Sequence, residues 1–164
     1  MKVLEIKATK TIGGNTFYLK PIPAFKCANL SGELAALIMP ILTSIAPIAA
    51  NASNSENFNF LDIDADVAGP ALAKGLGGIS GDRVENLLKK LLTTYRNVSV
   101  QPEGTNEAEV LTEELADNIF CGEVQDMFIL AVEVIKVNFT GIFKKLRDRF
   151  GGLLDAFIQQ IRQT

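Results

Sequence analysis

With 164 residues the chain is long enough for one domain with its own core, and 48% apolar against 21% charged residues is a globular balance that excludes disorder of the whole chain. The net charge of -3 argues against a protein built to hold nucleic acid, because neutralised phosphates supply most of that affinity. The chain has no histidine, so the usual general base and the commonest metal ligand are both missing.

The opening MKVLEIKATK mixes charged and apolar residues and lacks a long apolar run, which does not read as a signal peptide. Cys27 and Cys121, the two cysteines, are therefore expected to be reduced, buried thiols. The N-x-S/T sequences at Asn29, Asn51, Asn97 and Asn138 are then chance matches.

Lys2 to Ala8 alternates, with Leu4, Ile6 and Ala8 against Glu5 and Lys7, and Thr16 to Ile22 alternates with Phe17 and Leu19 on one side. Gly13, Gly14 and Asn15 between them suit the positive φ of a tight turn, so the pattern predicts a β-hairpin over about residues 1–22. Pro21 and Pro23 end it. Pro23 suits the first turn of a helix predicted from about Ala24 to Met39.

Leu34 to Ser55 carries no charge, and its greasy part falls short of the ~20 residues a membrane span needs. It also contains Pro40 and Pro47, each of which removes a helix hydrogen bond. A buried helix, broken or kinked at the prolines, is expected instead. Asn51 to Phe60 reads as a loop, and Leu61 to Gly81 is ambiguous, with a short helix around Ala71 to Leu76 as one reading.

Val84, Leu87, Leu88, Leu91, Leu92 and Tyr95 form an i, i+3, i+4, i+7 stripe, which predicts a helix over 82–95. Asp82 and Glu85 are placed as a capping box. A brief β-like run, Val98 to Val100, is stopped by Pro102 and Gly104. The acidic residues from Glu103 to Asp117 have no basic residue among them and read as a solvated loop and helix start. Thr112 is placed as the cap of a short helix running to Ile119, ended by Gly122.

From Glu123 to Arg149 only Gly141 opposes a helix. Val124, Met127, Phe128, Ala131, Ile135, Phe139, Ile142 and Leu146 mark one face, and Ile129, Leu130, Val132, Val134 and Val137 widen it to most of the surface. Glu133 and Lys136 interrupt it, so it does not span a bilayer. Such a helix is either the centre of a small domain or part of an assembly interface. The cations Lys144, Lys145, Arg147 and Arg149 suit a helix C-terminus. After Gly151 and Gly152, residues Leu153, Leu154, Phe157, Ile158 and Ile161 predict an amphipathic helix that has to dock on a core or on another chain.

The expected fold is mainly α with a small N-terminal β-hairpin, an α+β domain over 1–150 packed around the long apolar helix, with 151–164 as a jointed amphipathic helix. The search for catalytic chemistry ends empty. Asp62 to Asp66 starts like a calcium loop, but Val67 and Ala73 stand where Gly and Glu are needed. Gly75 to Gly81 fails G-x-G-x-x-G at Ser80. Two cysteines alone make no zinc site, and no carboxylate spacing points to an enzyme. No enzymatic activity, cofactor, metal, nucleic acid or membrane is expected.

FYLKPIPAFK, Phe17 to Lys26, and NIFCGEVQDMFILAVEVIKVNF, Asn118 to Phe139, in this order after an N-terminal hairpin, resemble the tail assembly chaperones of tailed bacteriophages, prophages and phage-tail-like particles. The resemblance implies a small, mostly helical protein of the bacterial host cytoplasm. It would bind the tape-measure protein and keep it soluble until tail-tube protein polymerises around it. Members are typically absent from the finished particle, and many are also made as a longer frameshifted product. The implied partners are the tape-measure protein and the tail-tube protein, and a homo-oligomer would also cover apolar helix. On this reading partner contact falls to the edge of the long helix and the tail: Phe139, Ile142, Phe143, Leu153, Leu154, Phe157, Ile158 and Ile161. The alternative is a structural tail or connector protein retained in the particle. A small regulatory or DNA-binding protein using Lys144 to Arg149 is a third reading, opposed by the net charge.

Overall fold

The computed structural model describes residues 5–34, 36 and 64–141. Strands β1 (Ala8–Ile12) and β2 (Asn15–Leu19) form a hairpin, with Ile12 opposite Asn15 and Ala8 opposite Leu19. Its two-residue turn is Gly13 and Gly14, at φ of 55° and 81°. Two successive positive φ values match the right-handed twist of the strands, and glycine adopts them without strain.

The first strand therefore lies later than the Lys2 to Ala8 alternation predicts. The turn sets the register from Ile12 backwards, and ladder strand runs out at Ala8, although Lys7 N–H still donates to the Leu19 carbonyl at 2.7 Å. Ile6 is exposed rather than inward, and Asn15 is a strand residue, not a turn residue.

The hairpin is half of a larger sheet. Strand β3 (Val98–Gln101) pairs antiparallel with β2, and β4 (Glu109–Val110) pairs antiparallel with β3, giving the order β1-β2-β3-β4. Phe17 faces Val100 and Leu19 faces Val98 across the ladder, and all four are fully buried. On the outer face the Tyr18 hydroxyl donates to Gln101 at 2.8 Å, a diagonal cross-strand pair.

Helix α1 covers residues 24–34, after the two prolines. Helix α2 (Ala65–Leu76) answers the ambiguity of the middle region. Its cap is Asp64, whose Oδ1 accepts the Asp66 N–H at 3.0 Å. The Lys10 ammonium, arriving from β1, bonds Asp66 at 2.9 Å and lies 3.8 Å from Asp64. Asp64 and Asp66, two of the aspartates that resemble a calcium loop, thus cap a helix and anchor it to the sheet.

Helix α3 (Gly81–Lys89) passes into a π-helical turn, Lys90–Thr94. Leu87, Leu91 and Leu92 are buried, as the stripe predicts. The predicted capping box does not form. Ser80 precedes the helix, Asp82 lies in its first turn, and Glu85 reaches forward to Lys89 at 2.7 Å. Starting the helix earlier puts Glu85 beyond reach of the cap and i, i+4 from a cation. The Thr93 and Thr94 hydroxyls both donate to the Lys89 carbonyl at 3.0 Å, satisfying an acceptor at the wider turn.

Helix α4 (Glu113–Phe120) begins at the expected Thr112 cap, whose hydroxyl accepts the Leu115 N–H at 3.2 Å. Its last residue, Phe120, stacks on Phe17 with ring centroids 5.8 Å apart and planes 12° from parallel. Gly122, at φ 81°, then reverses the chain. That reversal puts Cys121 on the surface, so the expectation of two buried thiols is corrected: Cys27 is half-buried and Cys121 exposed.

Helix α5, described over 124–141, runs through the centre. Leu130, Ala131, Val132 and Val134 are all fully buried, so the helix is enclosed over most of its circumference there. The two charges that interrupt it, Glu133 and Lys136, pair with each other at 3.7 Å. Close approach between helices is set at Gly69 of α2. A Cβ there would lie 2.7 Å from Ile129 Cγ1 and 3.0 Å from the Ile129 backbone nitrogen. The fold is α+β and mainly helical, as expected, with a four-stranded sheet in place of a bare hairpin. The predicted kinked helix in Leu34 to Ser55, the basic cluster and the C-terminal amphipathic helix lie, apart from Leu34 and Ala36, outside the described residues.

Candidate functional site

The long helix is enclosed at its middle but not at its start. Val124 is 54% exposed, and beside it a groove of about 520 Å³ opens between four elements. One wall is the end of α2 and the following turn, with Leu76 and Ile79. The second is α3 and the π turn, with Val84, Leu88 and Leu92. The third is α4 with Ala116, and the floor is α5 with Met127 and Phe128. The lining is mostly apolar, and its volume falls in the range of sites that take a sizeable ligand or several side chains.

Local sequence explains the groove. The α3 stripe is wider than the core beneath it: Leu87, Leu91 and Leu92 fill the interior, while Val84 and Leu88 stay half-buried on the flank. The i→i+5 spacing of the π turn shifts Leu92 and Thr93 relative to a plain α-helix and shapes the end of the wall. The reversal at Gly122 brings α4 and the start of α5 to the same opening.

The mouth is charged. Lys89 is held between Glu85 at 2.7 Å and Glu113 at 3.2 Å, so it links α3 to α4. Hydrogen bonds to these two carboxylates raise the Lys89 pKa, and the bond to Lys89 lowers that of Glu85. Asp117 also lines the groove. This arrangement offers an apolar trough with an anionic edge, suited to covering an apolar segment. Among the described residues no cluster of acidic, cysteine or histidine side chains could hold a metal ion, and no helix is long and apolar enough to cross a membrane.

Of the residues expected to meet partners, Phe139 is the one among the described residues. Phe139 is 1% exposed and belongs to the core. Ile142, Phe143, Leu153, Leu154, Phe157, Ile158 and Ile161 lie outside the described residues. The groove residues of α3 and α5 belong to the predicted stripes, but their role as a wall is not readable from either helix alone. The α2 wall falls within the short helix read around Ala71 to Leu76, but the glycines and proline of α2 hide its first two turns, from Ala65. Asp64 at its start is the signal that finds it.

The profile of the phage tail assembly chaperone protein family, TAC, matches residues 13–153. No curated protein and no solved structure matches the chain. The family match covers the hairpin's turn and second strand, the acidic helix start and the central apolar helix alike, and on that extent this chain belongs to the phage tail assembly chaperone proteins.

Proposed function

We propose that the chain is a non-enzymatic chaperone that binds the tape-measure protein in the host cytoplasm and keeps it soluble until tail-tube protein assembles around it. Membership of the tail assembly chaperone family carries this reading. A long helical protein exposes apolar faces before assembly, and such faces aggregate. A chaperone without an energy source has to cover them by reversible burial, which needs apolar surface and no chemistry. The groove between α2, α3, α4 and α5 supplies such surface. We propose further that residues 151–164, which lie outside the described residues, add a second contact or join copies of the chain.

The test is co-expression with the long helical protein encoded beside this chain, followed by pull-down and a solubility assay. The expected result is that the long protein is soluble only with this chain and co-purifies with it. Indifference of that protein overturns the reading. Stoichiometric recovery of the chain in purified particles would turn the assignment to a structural tail protein. If deletion of residues 151–164 leaves self-association and partner binding intact, the tail has no part in either.

A further inference from the structure

We infer that the groove receives an amphipathic helix whose apolar stripe is flanked by lysine or arginine, and that the anionic edge selects this charge. The inference rests on the chaperone reading and names the surface and the partner chemistry that it needs.

The apolar part of the argument is Val124. A large apolar side chain more than half exposed at the rim, above half-buried Leu88 and Met127, leaves a trough that water fills poorly. Helices bind such troughs through side chains at i, i+3 or i+4, and i+7. The charge argument is independent. Glu85, Glu113 and Asp117 line the groove against one cation, Lys89, which two of them already hold. Among the described residues Asp117 forms no ion pair. The α4 wall and the start of α5 also belong to a stretch, between Arg96 and Lys136, with nine carboxylates and no basic residue. A helix with acidic flanks meets repulsion there, and one with basic flanks meets an edge where three carboxylates face one cation and Asp117 has no ion partner among the described residues.

The experiment uses the full chain and two synthetic helical peptides of about five turns with the same leucine stripe, one with lysine flanks and one with glutamate flanks. Fluorescence anisotropy at low and physiological salt reads affinity. The expected result is preference for the lysine-flanked peptide, shrinking with salt. Val124→Asp, at an exposed position, weakens both peptides about tenfold by placing a charge in the apolar mouth. Asp117→Lys narrows the charge preference several-fold, with an unchanged melting curve as control. Equal affinity for the two peptides, or no response to either variant, overturns the inference. If the variants are silent while the tape-measure protein still co-purifies, the chaperone reading stands and the groove is not its site. If the tape-measure protein never co-purifies with the wild-type chain, the chaperone reading itself fails. Displacement of the lysine-flanked peptide by a peptide of residues 151–164 would make the groove a seat for the chain's own tail and overturn the assignment to a foreign helix.

Discussion

The side-chain carbonyl of Asn138 accepts the backbone N–H of Ile22 at 2.7 Å, across 116 positions of sequence. Ile22 sits between Pro21 and Pro23, neither of which has an N–H, so its own is the one donor of that triplet. It is buried and has no strand to bond to once β2 ends at Leu19. The Asn138 amide nitrogen donates in turn to the Val134 carbonyl at 2.9 Å, and the Asn138 backbone carbonyl accepts the Cys27 thiol at 3.7 Å. One residue of the central helix thus ties down the exit of the sheet and the first turns of α1.

Asn138→Leu keeps the branched shape, with a larger volume, and removes the acceptor. The buried Ile22 N–H is then unsatisfied, at a cost of about 1–3 kcal/mol. Urea unfolding should show this loss with an unchanged denaturant slope. A variant as stable as wild type would mean that water replaces the amide.

Gly69→Ala should destabilise although alanine is the better helix former by about 1 kcal/mol. The added Cβ meets the Ile129 backbone as well as its side chain. Overpacking of this kind costs about 1–3 kcal/mol, and Ile129→Val should rescue little, because the backbone contact remains. Thermal melts of the single and double variants check it.

Phe120→Ala removes one ring of the stack that joins α4 to the sheet and should cost about 3–5 kcal/mol, with Phe120→Leu costing clearly less. Losses of that size are a large part of the stability of a domain this small. Equal melting points for the two variants would place the contribution in the ring stack rather than in buried area.

The Asp64 carboxyl is held below its usual range, first by the Asp66 backbone N–H and more weakly by Lys10. A depressed folded pKa stabilises above the unfolded value of about 3.9, and the contribution disappears as pH falls through the folded value. Lys10 is shifted upward, chiefly by its hydrogen bond to Asp66, so its share is present below about pH 10.4 and is lost as pH rises through the folded value. Asp64→Asn keeps a cap but not the charge. It should be less stable than wild type at pH 7, and the gap should close on acidification below about pH 4. A gap that stays constant down to pH 3 would rule out the charge as its origin.

The two thiols should differ in reactivity. Cys121 is exposed in the turn after α4, whereas Cys27 is half-buried, bonded to Asn138, and pushed up in pKa by burial. A thiol reagent at pH 8 should label one cysteine at once and the other slowly, the slow phase merging with the fast one in urea. Two equally fast thiols would contradict the packing of α1 on α5.

Periodicity by itself determined the helices whose apolar faces are continuous, from Val84 to Leu92 and from Val124 onward, because burial of a stripe demands a repeat that survives any tertiary context. It determined the hairpin and the Thr112 cap, which depend on residues a few positions apart. The family resemblance was legible too, in two runs that prove to be the hairpin's exit and the enclosed helix. Only the tertiary structure decided what bonds across long separations. Strand β4 is two residues long and exists because β3 is there to pair with it. Asp64 and Asp66 read as a broken metal loop until Lys10 arrives from another strand. Cys121 reads as a core thiol until Gly122 turns the chain. The groove belongs to no single segment: each of its walls is an ordinary amphipathic flank, and only their meeting leaves apolar surface with nothing of its own chain, among the described residues, to cover it.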